Sequence, residues 1–291
     1  MPRGATPATE SARSRILSTA ASDSRAIETG SEQLLCSIEE RVARVTLNRP
    51  DARNALSMEL KQALVQTLAA LAGDDSVGCV LLTGAGRAFC AGGDTKVMAQ
   101  SGAPASMEDR QRQLRWEHRV PSLLHEMPKP VVCALSGAAA GAGFSLALAC
   151  DVRIAAESAF LLTSFARLGL SGDYGGSWFL TNLVGPARAR EIYFDSERIP
   201  AARCLELGLV NRVVPDDELA TASFELAARY AAGPPIALAY MKANLNRALR
   251  GDLQSCLDAE ADRMVRGAMT EDYREAVAAF AEKRPPVFRG R

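Results

Sequence analysis

Apolar and polar positions alternate through Leu34-Leu35-Cys36-Ser37-Ile38 and again through Val42-Ala43-Arg44-Val45-Thr46-Leu47, which predicts an opening pair of strands joined around residues 39–41. Asn48-Arg49-Pro50-Asp51 is rich in turn formers and closes the second strand. The period then changes. From Ser57, a favoured N-cap, Leu60, Leu64, Leu68 and Leu71 fall on one helical face and predict a helix to about Ala72. Residues 77–83 read as a buried strand, 108–127 as a mostly polar helix, and 131–135 as another buried strand followed by a short apolar helix over 142–149. Residues 152–155 and 160–162 return to extended structure. Beyond Gly185 the pattern is helical over 186–194, 201–207, 217–231, 235–249, 253–266 and 271–283. Strands alternating with helices, followed by helices alone, predict an α/β core with a helical C-terminal portion.

Residues 1–32 break this pattern, being rich in Ala, Ser, Thr and Arg with few large apolar groups, and read as a disordered extension. The expected organisation is therefore an extension over 1–32, a core over 33–230 and a helical region over 231–291. Residues 131–150 carry no charge and are as long as a membrane span, but their Gly and Ser breaks and the preceding Pro128 and Pro130 favour a buried strand, loop and helix. No membrane partner is expected. Lys+Arg and Asp+Glu balance at 34 each in the 291 residues, so no basic footprint for nucleic acid is present. The seven cysteines are scattered without a C-x-x-C pair, which fits reduced thiols and a cytoplasmic location and suggests no metal site.

Candidate chemistry lies in two glycine-rich loops, each entered from a strand-like run and closed by an aspartate. The first runs Gly84-Ala85-Gly86-Arg87-Ala88-Phe89-Cys90-Ala91-Gly92-Gly93-Asp94, and the second runs from Ser136-Gly137 through Gly141-Ala142-Gly143 to Cys150-Asp151. Small residues let backbone approach closely and expose N–H groups. Two such loops aimed at one oxygen would make an oxyanion hole; Gly92-Gly93 alone would serve as a plain tight turn.

These residues in this order resemble the crotonase (enoyl-CoA hydratase/isomerase) superfamily from about Leu34 to Phe288. The resemblance is carried by Leu47-Asn48-Arg49-Pro50 with Asn54-Ala55-Leu56, by the two loops, by Gly169-Leu170 with Gly175-Gly176, by Leu207-Gly208-Leu209-Val210, and by Glu282-Lys283-Arg284-Pro285-Pro286-Val287-Phe288. It implies an α/β fold built as a spiral of ββα units with a helical C-terminal trimerisation region, assembled as a homotrimer or a dimer of trimers. It also implies an acyl-CoA thioester substrate, with coenzyme A entering as part of the substrate and no separate cofactor. By position, the amides of Gly93 and Ala142 form the oxyanion hole; Ala142 also begins a predicted helix, whose first N–H groups are unpaired. Ala91, Gly92, Asp94, Arg49 and Arg53 would border the coenzyme A, and Phe280 and Lys283 would reach one bound to a neighbouring subunit. Lys283 would otherwise be a solvated helix end.

The chain departs from the two-glutamate pattern of the family's hydratases. Ser145 and Phe165 stand at those positions, and neither transfers protons near neutral pH. Asp173 falls where several isomerases of the family carry a catalytic acid, with Phe165, Tyr174 and Trp178 expected to desolvate it. The resemblance therefore implies double-bond isomerisation through an enolate, with a single acid. The alternatives are a hydratase or lyase, dehalogenase-like hydrolysis through Asp173 as nucleophile, and a non-catalytic acyl-CoA-binding homologue. Asp173 could instead cap the helix starting near Gly175. His118 and His125, the only histidines, read as ordinary helix residues, and Met98 with residues 101–109 would help set the acyl group.

Overall fold

The computed structural model describes residues 24–94 and 106–291. Met98 and residues 101–105, expected to shape the acyl pocket, lie outside the described residues, as do residues 1–23 of the expected extension. The rest of that extension contains a strand. Arg25–Ile27 (β1) pairs antiparallel with Leu34–Glu39 (β2), so ordered structure begins earlier than the composition suggested.

Val42–Leu47 (β3) completes the predicted hairpin with β2 and runs parallel to Cys79–Gly84 (β4). The larger sheet continues through Val131–Leu135 (β6), Val152–Ala156 (β8) and Arg212–Val214 (β11), all parallel, giving seven strands in the order β1-β2-β3-β4-β6-β8-β11. A second sheet holds Ala88–Cys90 (β5), Ala138–Ala140 (β7), Phe160–Leu162 (β9) and Ile199–Pro200 (β10). Each pair β4–β5, β6–β7 and β8–β9 gives its first strand to the larger sheet and its second to the smaller one. That winding is the mixed α/β architecture expected. Burial on both faces explains the unbroken apolar runs at Val80-Leu81-Leu82 and Val131-Val132-Cys133.

Met58–Gly73 (α1) forms as the leucine stripe predicts: Leu60, Leu64, Leu68 and Leu71 are buried, and the Ser57 hydroxyl accepts from the Leu60 amide at 3.1 Å. Such a cap is worth about 1 kcal/mol. The polar helix expected over 108–127 is two helices, Met107–Glu117 (α2) and Arg119–Glu126 (α3), parted at His118. Pro121 causes the break, because it has no N–H to donate to the Glu117 carbonyl four residues earlier. The charge-free stretch after β6 divides into β7 and Ala142–Leu148 (α4). Among the described residues no helix is long and apolar enough to cross a membrane.

Gly176–Val184 (α5), Pro186–Asp195 (α6) and Ala201–Glu206 (α7) follow, and Leu219–Ala231 (α8) packs across β3, β4, β6 and β8. The C-terminal portion is helical, as predicted: Pro235–Ala248 (α9), Leu253–Ala268 (α10) and Glu271–Glu282 (α11), the last two capped by Asp252 and Thr270. Lys242 anchors α9 to the core. Its ammonium donates to Asp151 Oδ2 at 2.7 Å and to the carbonyls of Leu124 and Lys129 at 2.9 and 3.1 Å.

Candidate active site

Both glycine loops contain short strands that the sequence pattern did not mark, and β5 and β7 lie parallel to each other. The pairing brings the loops into contact just beyond the strand ends. Gly92 has φ +88°, and a Cβ there would lie 2.6 Å from the Ala140 carbonyl oxygen and 3.1 Å from the Ala142 nitrogen. A Cβ at Gly143 would lie 2.2 Å from the Cys90 oxygen. Only glycine permits either approach.

The first loop is held from below by Asn54, fully buried in the turn after β3. Its Nδ2 donates to the carbonyls of Ala85 and Ala88 at 2.9 and 2.7 Å, and its Oδ1 accepts from the Arg49 amide at 2.8 Å. The Ala91 amide donates to the Arg53 carbonyl at 2.9 Å, and the Gly92 carbonyl accepts from the Leu56 amide at 2.8 Å. Among the described residues no protein acceptor meets the Gly93 N–H. Ala142 is the first residue of α4, where the N–H lacks an intrahelical partner. Arg49, expected near coenzyme A, forms an ion pair at 3.1 Å with Asp94, the residue after Gly93. Arg53 borders a surface pocket with Arg87 and Arg198.

Asp173 sits in the loop before α5. It does not cap that helix: the N-cap is Gly175, with no side-chain cap bond, and Oδ1 of Asp173 is buried without a hydrogen-bond partner among the described residues. Burial pushes its carboxyl above the ordinary carboxylate range; His118 pulls it down and Glu117 pushes it further up. The next residue, Tyr174, is buried with φ +53°, a left-handed conformation that side chains rarely adopt.

The surroundings of Asp173 differ from the expected lining. Trp178 packs edge-on against His125 and Phe179, with Arg250 over its indole, on the α3 side of α5. His118 is no ordinary helix residue. Its Nε2 accepts from the Tyr174 amide at 3.4 Å, and its ring lies edge-on to Tyr174 at 5.7 Å. Glu117, which the sequence reading passed over, is a buried carboxylate held by Lys61 at 2.7 Å and Gln113 at 3.0 Å. Phe165 is buried and stacks on Tyr193 with centroids 6.0 Å apart. Burial pushes the Tyr193 phenol up to about 12, and the Asp173 charge acts in the same direction.

Phe280 is almost wholly exposed on α11, and Lys283 is its left-handed C-cap. Among the described residues no hydrogen bond, ion pair or ring contact links either to Asp173. Among the described residues no group of three or more His, Cys, Asp or Glu could hold a metal ion. The arrangement brings two unengaged amides to touching loops and adds one desolvated carboxylate. Amides of this kind can stabilise a negative oxygen, and a desolvated carboxylate can move a proton.

A family model described as enoyl-CoA hydratase/isomerase matches residues 37–291. A 1,2-epoxyphenylacetyl-CoA isomerase of Escherichia coli (strain K12) is 38% identical over 266 residues, covering 89% of this chain and 99% of that protein. A 2,3-dehydroadipyl-CoA hydratase of the same organism is 37% identical over 259 residues, with coverages of 89% and 99%. The crystal structure of an enoyl-CoA hydratase from Polaromonas sp. JS666 aligns with a TM-score of 0.83 at 36% identity, covering 88% of this chain and 99% of that one.

Proposed function

The chain belongs to the enoyl-CoA hydratase/isomerase family, and from that premise we propose that it isomerises an acyl-CoA thioester with Asp173 as its single acid–base group. The observation that carries this reading is the buried, unpartnered Oδ1 of Asp173. The two positions at which the family's hydratases carry glutamates hold Ser145 and Phe165.

With a 3-enoyl thioester, ionised Asp173 takes a proton from C2, and the electron pair moves onto the thioester oxygen. The amides of Gly93 and Ala142 donate to that oxygen, each such donor being worth about 3–4 kcal/mol. Asp173 then returns the proton to C4 as the carbonyl re-forms, leaving the double bond between C2 and C3. One carboxylate serves both transfers, and no water is consumed. Burial, which raises the affinity of Asp173 for a proton, suits it to both halves of the shuttle.

Arg49, Arg53, Ala91, Gly92 and Asp94 would border the coenzyme A portion. The exposed Met241, Leu245, Met264 and Phe280, with a groove of 660 Å³ between α9, α10 and α11, support association of these helices with other copies in a homotrimer or a dimer of trimers. In that assembly Phe280 and Lys283 would reach the coenzyme A of a neighbour, and a cytoplasmic location fits the buried free thiols.

The test is the ultraviolet absorbance of the conjugated enoyl thioester, with 3-enoyl-CoA and 2-enoyl-CoA offered separately. Isomerisation raises the signal from the 3-enoyl substrate. Loss of signal from the 2-enoyl substrate, with a 3-hydroxy product, would establish hydration instead. His118 favours a second reading, dehalogenase-like hydrolysis: Asp173 attacks the acyl-group carbon that carries a halide, the halide leaves, and the imidazole activates a water that hydrolyses the resulting aspartyl ester, regenerating Asp173.

A further inference from the structure

The acyl side of the site holds hydrogen-bonding groups that the proton shuttle does not use. Tyr193 on α6 stacks on Phe165, and Phe165 reaches within 4.0 Å of the Cβ position at Gly141, the residue preceding the Ala142 amide. The Tyr193 hydroxyl is buried and has no hydrogen-bond partner among the described residues. Ser145, fully buried one turn into α4, has only a 3.5 Å bond from its Oγ to the Gly141 carbonyl behind it.

The two hydroxyls converge at the start of α5. A Cβ at Gly176 would lie 2.2 Å from the Ser145 Oγ and 2.7 Å from the Tyr193 oxygen, and one at Gly172 would lie 2.9 Å from the Tyr193 ring. Glycine at both positions leaves the phenol room. Asp173 lies between these glycines in the chain, and its charge acts on Tyr193. The polar pair therefore meets at the start of the helix that follows the Asp173 loop.

A buried hydroxyl with no partner is costly, and a hydrocarbon acyl group would leave it unmatched. The phenol stays protonated at neutral pH, so it donates and needs an acceptor. We infer that Tyr193, with Ser145 beside it, is a specificity-determining donor to an oxygen carried by the acyl group. The preferred substrate is then an oxygenated acyl-CoA, with a hydroxyl, ether or epoxide oxygen close to the reacting carbons. This deepens the thioester reading above and rests on it.

Calorimetry with two pairs of thioesters that carry no enoyl double bond tests it: butanoyl-CoA against 3-hydroxybutanoyl-CoA, and phenylacetyl-CoA against 2-hydroxyphenylacetyl-CoA. In at least one pair the oxygenated member should bind the wild-type protein about five- to tenfold more tightly, the scale of one well-placed hydrogen bond. Tyr193→Phe should erase that preference, and Ser145→Ala should reduce it. The melting temperature of Tyr193→Phe should not fall, because the hydroxyl it removes has no partner in the folded chain. Absence of preference in both pairs, its survival in Tyr193→Phe, or a large loss of stability in that variant would overturn the inference. If the preference is found but 3-enoyl-CoA is not turned over, the isomerase reading fails while this one stands. If no thioester binds, both fail.

Discussion

The backbone amide of Tyr174 donates to Nε2 of His118 across 3.4 Å, joining the loop that carries Asp173 to the break between α2 and α3. Tyr174 is held left-handed at φ +53°, a conformation that costs on the order of 1 kcal/mol. The His118 bond and the complete burial of the Tyr174 ring keep it there. A proline-induced interruption of a helix thus places His118 where it can hold the loop that carries the candidate base.

Replacing His118 by Ala frees this loop and should lower kcat by about tenfold, or about 1.4 kcal/mol in the barrier. His118→Gln, whose side-chain oxygen can accept the same bond, should recover most of the loss. Steady-state kinetics of the two variants decide the point. A glutamine variant as inactive as the alanine one would give the imidazole its own role in proton transfer, as the hydrolytic reading requires.

Asp173 trades stability for chemistry. Its folded carboxyl binds a proton more tightly than the unfolded one, so the stability associated with it is greatest at acid pH and declines as pH rises through the two pKa values. Asp173→Asn should therefore melt at a higher temperature than wild type near pH 7. The difference should shrink toward pH 3, where both side chains are neutral. For the wild-type enzyme, kcat/KM should fall on the acid side with an apparent pKa above that of an ordinary aspartate. An asparagine variant less stable than wild type at pH 7 would show that the carboxylate is well paired in the fold.

Gly143→Ala forces a methyl group to 2.2 Å from the Cys90 carbonyl oxygen, where two loops of rigid backbone meet. The loops must separate, moving Gly93 away from Ala142. The expected result is a loss of about 1–3 kcal/mol in chemical denaturation and a fall in kcat exceeding any change in thioester affinity. Unchanged turnover would remove the two amides from the mechanism.

Lys242→Met leaves the half-buried Asp151 without its ammonium and strips the carbonyls of Leu124 and Lys129 of a donor. Removing one partner of such a half-buried, hydrogen-bonded charge pair costs about 1–3 kcal/mol. Urea melts should show that loss, because the pair fastens α9 to the loop after α4. A loss under 1 kcal/mol would mean that solvent reaches Asp151 freely.

What the sequence revealed, and what it hid, follows from the range of each signal. The leucine stripe of α1 with its Ser57 cap, and the glycines at 92 and 141–143, are local features, and they form where their spacing predicts. β1 escaped because Arg25-Ala26-Ile27 is a three-residue edge strand without an apolar period; pairing with β2, the packing of Ile27 on the core and the Arg25–Asp74 ion pair hold it. His118, Glu117 and Tyr193 escaped because they reach the Asp173 loop from separate helices, a relation fixed by packing alone. Pro121 was a visible signal for the helix break, and so for the turn that redirects His118. Trp178 shows the converse: its place near Asp173 in the chain said nothing of the face of α5 it occupies, which is that of His125.

The central claim is that one carboxylate, Asp173, moves the proton beside two backbone amides. The most direct measurement compares wild type and Asp173→Asn for the rise in conjugated-thioester absorbance from 3-enoyl-CoA, with thioester affinity measured on the same preparations. The account predicts that the rise is abolished in the variant, by at least about a thousandfold, while the thioester still binds. An asparagine variant that still converts 3-enoyl-CoA within tenfold of the wild-type rate would contradict it.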